Sequence, residues 1–197
     1  MSTKTLLAES NQLRQEAEGL LELTDIISVL DRFGRVNLIG SYSYNVMMAR
    51  DIDFHVLIDN FDQKLVSEFL DYAVSSALFE EIIFHDKHRF NDEAAARYAS
   101  KKALDSYYFG LRITYKSEYW QIGINFITSE QAASIAIGKL FDNATDNQRE
   151  QILIFKREIK NTSVKVSSSY IYKAVIELGI DDKDELLSYL KNIGYTF

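Results

Sequence analysis

The chain has 197 residues, of which 47% are hydrophobic and 26% are charged, and its net charge is −7. A chain of this length can bury a core without disulfide staples, and the lack of cysteine excludes both a disulfide framework and thiolate chemistry. Proteins that grip long nucleic acids by their phosphates usually carry a basic face, and the sequence shows no large Lys/Arg cluster. A nucleic-acid partner is therefore not expected, and small substrates are favoured.

The N-terminus shows no targeting or membrane signal. It has neither the apolar region of a signal peptide nor a run of about 20 apolar residues. We therefore expect a cytoplasmic protein without a membrane partner. An oligomer is compatible with the sequence, which does not specify its size.

The first two thirds of the chain alternate helical and strand patterns. Apolar residues recur at helical spacings from Leu6 to Leu30 and predict one or two amphipathic helices that end at Gly34. The elements predicted next are strands at 36–39 and 51–58, a helix at 64–78, a strand at 82–84, a loop or short helix within 86–105, and strands at 107–115 and 120–127. A turn at Lys116-Ser117-Glu118 predicts that the last two strands form a hairpin.

The remaining sequence is helical in pattern. The predicted helices are 130–142, 147–160, 168–179 and 182–193, with Gly179 and Gly194 as C-terminal stops and Asp182 as an N-cap. Strands with intervening helices come first and helices follow, which predicts an α+β fold with a C-terminal helical part. We place the α+β domain at residues 1–128, with the N-terminal helix included, and the helical region at 129–197.

Two aspartates lie one residue apart on a predicted strand. Because side chains alternate along a strand, Asp51, Asp53 and His55 share one face, while Ile52 and Phe54 point to an apolar face. Two parallel carboxylates repel each other and raise each other's pKa. A divalent cation removes that penalty, and Mg²⁺ is typically held by one or two carboxylates together with substrate phosphates.

A glycine–serine pair precedes these aspartates, with nine residues between Ser41 and Asp51. Gly40 lets a ligand approach the backbone closely, and Ser41 offers a hydroxyl and a backbone N–H. The segment 42–48 can begin a helix whose N-terminus favours an anion. Gly40 and Ser41 are therefore the candidate phosphate-binding residues.

Together the two halves resemble the signature of the nucleotidyltransferase superfamily of DNA polymerase beta. Its pattern is an apolar residue, Gly, then Gly or Ser, a spacer, and then Asp, an apolar residue, Asp or Glu, and an apolar residue. The matching positions here are Ile39, Gly40, Ser41, Asp51, Ile52, Asp53 and Phe54. The resemblance, which extends most closely to small bacterial antibiotic-type members, implies a mixed β-sheet backed by helices. It also implies a Mg²⁺–nucleoside triphosphate as donor and a hydroxyl as acceptor.

The same resemblance calls for a third carboxylate on a later strand, and this sequence lacks it. The strand at 120–127 presents Gln121, Gly123 and Asn125 on its polar face, and none is acidic. Gly123 is at the expected position, and Asn125 is the alternative, with a neutral oxygen that can still reach a metal. The absence of this carboxylate puts catalytic turnover in question, because general-base help is typically worth about 10²–10⁴-fold in rate.

Other residues are weaker candidates. Arg112, in mid-strand, is a candidate for binding an anionic group of the nucleotide, whereas Arg50 is expected to form salt bridges at the rim. His55 is either a ligand or a neighbouring surface histidine. Tyr42, Tyr44, Tyr107 and Tyr108 are candidates either for the pocket or for the core, and Lys139, Lys156 and Lys160 either reach the triphosphate or are solvated.

Two functions remain open from the sequence. The first is transfer of a nucleoside monophosphate from a Mg²⁺–triphosphate to a hydroxyl of a small molecule, with Asp51 and Asp53 as catalytic metal ligands. The second is a catalytically degenerate, antitoxin-like module that binds nucleotide or a protein partner, because the third carboxylate is missing.

Overall fold

The computed structural model describes residues 5–90, 104–128 and 132–197, which form two compact units. The first, called here the sheet unit, contains the described residues of 16–42 and 50–130. The second, called the helical unit, contains those of 1–15, 43–49 and 131–197. The domain boundary expected at residue 128 stays a prediction.

The sheet unit is built on a mixed five-stranded sheet. Its strands are β1 (Arg35–Ile39), β2 (Asp51–Leu57), β3 (Glu81–Asp86), β4 (Tyr107–Tyr115) and β5 (Glu118–Ile127). The spatial order is β1-β2-β5-β4-β3, in which β2 and β5 are parallel and the other neighbours are antiparallel. The helices that contribute to this unit are α1 (Leu6–Thr24), α2 (Ile26–Asp31), α3 (Gly40–Ser43) and α4 (Gln63–Ser75). The predicted α+β fold with a mixed sheet and helices is confirmed.

One face of the sheet forms the core of this unit. Ile52, Phe54, Ile122 and Ile124 are fully buried on it, as the alternation in the sequence predicts. Phe69 of α4 packs on this face, and its ring makes edge contacts with Phe33, Phe109 and Phe126 at centroid distances of 5.8, 4.7 and 5.3 Å. The opposite face therefore carries the polar side chains.

The strand predictions agree with the structure to within a few residues, and the predicted hairpin is present. Tyr115 pairs with Glu118, so the turn consists of Lys116 and Ser117 alone, both at positive φ. Two residues with positive φ are typical of the tight turn that matches the twist of a hairpin. Similarly, the N-terminal pattern forms two helices because Asp25 between them adopts a left-handed conformation.

The helical unit comprises α5 (Ala132–Leu140), a 3₁₀ turn (Phe141–Asn143), α6 (Asp146–Lys160), α7 (Ser168–Ile176) and α8 (Lys183–Asn192). The residues buried in its core include Ile152, Phe155, Ile171, Ala174, Leu186 and Leu190. Asp182 caps α8 by accepting hydrogen bonds from the N–H groups of Asp184 and Glu185, as predicted. Gly179 and Gly194 have positive φ just beyond α7 and α8, in keeping with their expected role as stops.

The segment 43–49, which lies within the nine residues between Ser41 and Asp51, is anchored in the helical unit by basic side chains of α6. Lys156 Nζ donates to the Val46 carbonyl at 2.7 Å, and Arg149 Nε donates to the Tyr44 carbonyl at 3.2 Å. The Tyr44 ring stacks on Phe141 with a centroid distance of 4.4 Å. The spacer of the sequence signature is therefore held in place by hydrogen bonds that its backbone carbonyls accept from α6.

Parts of two predicted elements lie outside the described residues. These are positions 91–103 of the predicted loop or short helix at 86–105, and the first two positions of the helix at 130–142. Among the helices that the structure describes, none has the length and apolar character that crossing a membrane requires.

Candidate nucleotide and metal site

The two aspartates of β2 lie on the polar face of the sheet. In the parallel pairing with β5, Asp51 is opposite Gln121 and Asp53 is opposite Gly123. Burial, and next the negative charge of Asp51, raise the pKa of Asp53 to about 7. The sequence predicts that the two carboxylates disfavour each other's ionisation, and the raised pKa of Asp53 agrees with this prediction.

The carboxylate of Asp53 lies between two glycines. A β-carbon placed on Gly40 would be 2.8 Å from Asp53 Oδ2, and one placed on Gly123 would be 2.8 Å from Asp53 Oδ1. Both distances are shorter than carbon–oxygen van der Waals contact, so any larger residue at either position would displace the carboxylate. Gly40 also has φ of +74°, which other residues rarely adopt.

The glycine–serine pair thus begins next to the second aspartate. Ile39, the last residue of β1, pairs with Asp53, and Gly40 and Ser41 open the four-residue helix α3 directly after it. N–H groups in the first turn of a helix have no partner within the helix and can face an anion. The helix predicted to begin within 42–48 therefore starts earlier and is short, because the chain turns again at Asn45, which has φ of +55°.

The strand expected to supply a third acid presents none. Gly123 faces Asp53 across the parallel pair, and Asn125 faces His55. The Asn125 side-chain oxygen accepts a hydrogen bond from the buried Ser106 hydroxyl at 3.1 Å. Asn125 is therefore part of a local polar contact between β5 and the residue preceding β4.

Asp51 and Asp53 are the residues that would hold a Mg²⁺ ion, with a phosphate group supplying further ligands. Across residues 5–90, 104–128 and 132–197, no group of three or more His, Asp or Glu side chains could hold a metal ion. Two carboxylates completed by phosphate oxygens are nevertheless a common magnesium environment. A cation at Asp51 and Asp53 would also offset the burial and the charge repulsion that together raise the pKa of Asp53.

The two arginine candidates are both held by glutamates. Arg112, which pairs with Gln121 on the polar face, lies 3.0 Å from Glu81. A hydrogen bond with Tyr119 and the charge of Glu81 raise the pKa of Arg112. Arg50 lies 3.2 Å from Glu16 and 3.5 Å from Glu118, the salt-bridge role expected for it.

The remaining candidates fall into different environments. His55 is 7% exposed, so it is buried within the sheet and is not a surface histidine, and burial lowers its pKa. Tyr107 points to the apolar face, where it contacts Phe61, whereas Tyr108 lies on the polar face near Gly123. Lys156 binds the Val46 carbonyl, and the other two lysine candidates, Lys139 and Lys160, are exposed.

Sequence reasoning missed two residues of the polar face, Gly110 and Lys87. Gly110 pairs directly with Gly123, so two glycines meet in the middle of the sheet. The Tyr108 ring lies over them, with Lys87 Nζ 4.3 Å from its centroid. The available signal was an isolated glycine inside a strand pattern, which indicates a close approach to the backbone.

Comparison with known proteins supports the fold. No protein-family model and no curated protein sequence matches the chain. Among solved structures, it is similar to the Cid1 poly(U) polymerase bound to Mg 3′-dATP, with 16% identity and a TM-score of 0.56 over 82% of this chain and 48% of that one. A Cid1 mutant bound to MgATP gives 15% identity and a TM-score of 0.60 over 86% and 51% of the two chains. The GLD-2/RNP-8 complex gives 13% and 0.57 over 94% and 68%.

These similarities define the class of fold. Cid1 and GLD-2 are polymerases of the nucleotidyltransferase superfamily, so the resemblance found in the signature is confirmed for the fold. The chain spans about half the length of the Cid1 chains it matches. At 13–16% identity, the likeness concerns the fold alone.

Proposed function

We propose that this protein binds a nucleoside triphosphate with Mg²⁺ and transfers its nucleoside monophosphate to a hydroxyl group of a small molecule. One observation carries the proposal: the carboxylate of Asp53 lies directly against Gly40, so the candidate metal ligand and the candidate phosphate turn adjoin. The similarity to nucleotidyltransferase structures supports it at the level of fold.

Each residue of the site has a defined task in this proposal. Asp51 and Asp53 hold the cation, which when bound offsets negative charge on the triphosphate. Gly40 allows the phosphates to approach the backbone, and Ser41 donates its hydroxyl and N–H groups to the β- and γ-phosphates. Arg112 would bind an anionic group only if it leaves Glu81, from which it is 3.0 Å away.

The proposed reaction is a single displacement at phosphorus. The acceptor oxygen forms a bond to the α-phosphorus, and the bond between that phosphorus and the oxygen bridging to the β-phosphate breaks. Pyrophosphate leaves with the bonding electrons, and the hydroxyl proton passes to solvent. The contribution of the protein is to orient the two reactants and to stabilise charge on the leaving group.

The charge of the chain supports a small-molecule acceptor. The chain has 29 acidic and 22 basic residues, a poor balance for holding a long polyanion. The name of one similar structure points to another acceptor, since it is a poly(U) polymerase. RNA is therefore the competing acceptor that the experiment has to include. We place the activity in the cytoplasm as part of the same proposal.

The test separates binding from chemistry. Calorimetry with ATP, GTP, CTP and UTP, each with Mg²⁺ and each with EDTA, measures whether binding depends on the metal. Transfer of label from α-³²P-labelled triphosphates is then followed with sugars, polyols, aminocyclitols and a short RNA as acceptors. Metal-dependent binding and a labelled small-molecule product are expected. Lack of binding to all four triphosphates contradicts the whole proposal, and labelling of RNA alone contradicts the acceptor class.

A second function, nucleotide binding without turnover, is favoured by the absence of a carboxylate at Gly123. Neither of the two candidate positions supplies a carboxylate. Gly123 has no side chain, and the side-chain oxygen of Asn125 accepts a hydrogen bond from Ser106. If this second function is correct, the protein binds nucleotide and forms no labelled product with any acceptor. A Gly123→Asp variant that acquires transfer, although its β-carbon would crowd Asp53, would identify the parent as a degenerate transferase. Turnover by the parent excludes this function.

A further inference from the structure

A tyrosine lies flat on the sheet beside the candidate metal site. A β-carbon on Gly110 would lie 3.0 Å from the phenol oxygen of Tyr108. One on Gly123 would lie 3.7 Å from Cε2 of the ring and 3.8 Å from its oxygen. Gly110 and Gly123 pair across β4 and β5, so the phenol packs directly on the backbone of the sheet. It can do so because neither residue has a side chain.

The ring is fixed in this orientation by two neighbours from the edge of the sheet. His85 of β3 pairs with Tyr108 in register, and their rings stack with a centroid distance of 5.8 Å and an interplanar angle of 29°. Lys87 places its Nζ 4.3 Å from the ring centroid, within the range of a cation–π contact. A ring held by packing on both sides has little freedom to rotate away, which suits a group that has to position a substrate.

The phenol borders the position where the third acid would project. The β-carbon position of Gly123 is 2.8 Å from Asp53 Oδ1 and 3.8 Å from the Tyr108 hydroxyl. A carboxylate at residue 123 would therefore enter a space already flanked by these two groups. The hydroxyl also lies on the same face as Asp51 and Asp53, as the register of β2, β5 and β4 requires.

We propose that the Tyr108 hydroxyl positions the acceptor hydroxyl at this site, in the place that a third carboxylate would otherwise occupy. The inference rests on the proposed nucleotidyltransfer function and adds its acceptor-side residue. A phenol hydroxyl can both donate and accept a hydrogen bond. It can accept a hydrogen bond from the acceptor hydroxyl and direct that oxygen towards the α-phosphorus. The proton itself still leaves to solvent.

Tyr108→Phe is the decisive variant, because it keeps the ring over both glycines and removes only the hydroxyl. Tyr107→Phe is its matched control: the next residue on the same strand, pointing to the opposite face, where its oxygen accepts from Gln63 at 3.3 Å. Each protein is assayed for ATP affinity with Mg²⁺ by calorimetry. Each is then assayed for kcat and for the KM of the small-molecule acceptor that the parent labels. Thermal unfolding is measured alongside.

The expected result is specific to the acceptor. Tyr108→Phe binds ATP with unchanged affinity, while its kcat/KM for the acceptor falls roughly ten-fold or more, the effect of losing a hydrogen bond in the reacting complex. Tyr107→Phe is unchanged in both measurements. Gly110→Ala should reproduce the defect, because its β-carbon would lie 3.0 Å from the phenol oxygen and displace it.

Several results would overturn the inference. Full acceptor kinetics in Tyr108→Phe would show that the hydroxyl has only a structural role. Loss of ATP affinity in that variant would show that the hydroxyl contributes to binding the nucleotide and not to positioning the acceptor. A parent that binds ATP but labels none of the small molecules contradicts the inference and leaves nucleotide binding in place. A parent that does not bind ATP with Mg²⁺ fails the proposed function itself.

Discussion

Asp53 Oδ1 lies 2.8 Å from the point where Gly123 would carry a β-carbon, so the carboxylate lies directly against the position of the missing side chain. In the sequence, Gly123 is only an absent ligand. In the fold it is also the residue that lets Asp53 adopt its position next to Gly40. The glycine and the second aspartate are therefore parts of one arrangement, and a change at either alters the other.

Gly123→Ala should weaken the metal-dependent binding of ATP several-fold. The added methyl group forces the Asp53 carboxylate to move, and its oxygens are the proposed metal ligands. Calorimetry with ATP and Mg²⁺ measures the effect. Gly138→Ala is the control and should leave binding unchanged, since within the described part of the chain its β-carbon would meet only the Tyr44 hydroxyl, at 3.9 Å. Unaltered affinity in Gly123→Ala would show that the carboxylate position is unimportant for the site.

Asp53→Asn should be more stable than the parent at high pH when no metal is present. Burial and Asp51 raise the pKa of Asp53 to about 7 from an ordinary value of 3.8. The folded state therefore binds more protons than the unfolded state between these two values, and the parent loses stability as pH rises through this window. The variant lacks this loss, so its advantage should be absent near pH 4 and complete above pH 7.

Urea unfolding of both proteins in EDTA at a series of pH values between 4 and 8 tests this dependence. An advantage for Asp53→Asn that is constant across the series would assign the effect to packing. An advantage that shrinks as pH rises would contradict the direction of the pKa shift.

Gly40→Ala should destabilise the protein and weaken nucleotide binding together. A non-glycine residue in the left-handed region costs about 1–2 kcal/mol, and Gly40 has φ of +74°. The added β-carbon would in addition lie 2.8 Å from Asp53 Oδ2. Unfolding in urea and ATP titration with Mg²⁺ measure the two effects, and a variant with normal stability would show that the turn is not constrained.

Lys156→Met should lower the free energy of unfolding by about 1.5–3 kcal/mol, the usual contribution of a hydrogen bond from a charged group. Lys156 Nζ donates to the Val46 carbonyl at 2.7 Å and so anchors the spacer of the signature within the helical unit. Lys160→Met, in the last turn of the same helix and exposed, is the control and should change stability little. Equal stability of the two variants would contradict the anchoring role.

The sequence predicts much of the sheet unit because its signals are local. Strict alternation on β2 and β5 fixes which side chains share a face, and the positions of Asp51, Asp53 and Gly123 on the polar face follow from it. The contact between Asp53 and Gly40 is not predictable in this way, because it depends on the antiparallel register of β1 and β2.

Residues of the site that come from non-local pairing are the hardest to predict. Tyr107 and Tyr108 look alike in the sequence, yet one is buried in the core and the other lies on the polar face. Alternation along the strand requires the two side chains to point to opposite faces. Only the pairing of Gly110 with Gly123 shows that Tyr108 lies over two adjacent glycines. Lys87 belongs to the same set only because β3 is next to β4 in the sheet.

The most direct test of the central claim is calorimetric titration of ATP into the parent and into Asp53→Asn, each with Mg²⁺ and with EDTA. The proposed site predicts that the parent binds ATP with Mg²⁺, that EDTA removes most of the affinity, and that Asp53→Asn with Mg²⁺ behaves like the parent in EDTA. ATP binding that neither EDTA nor the substitution alters, or no binding by the parent at all, would contradict a metal–nucleotide site at Asp51 and Asp53.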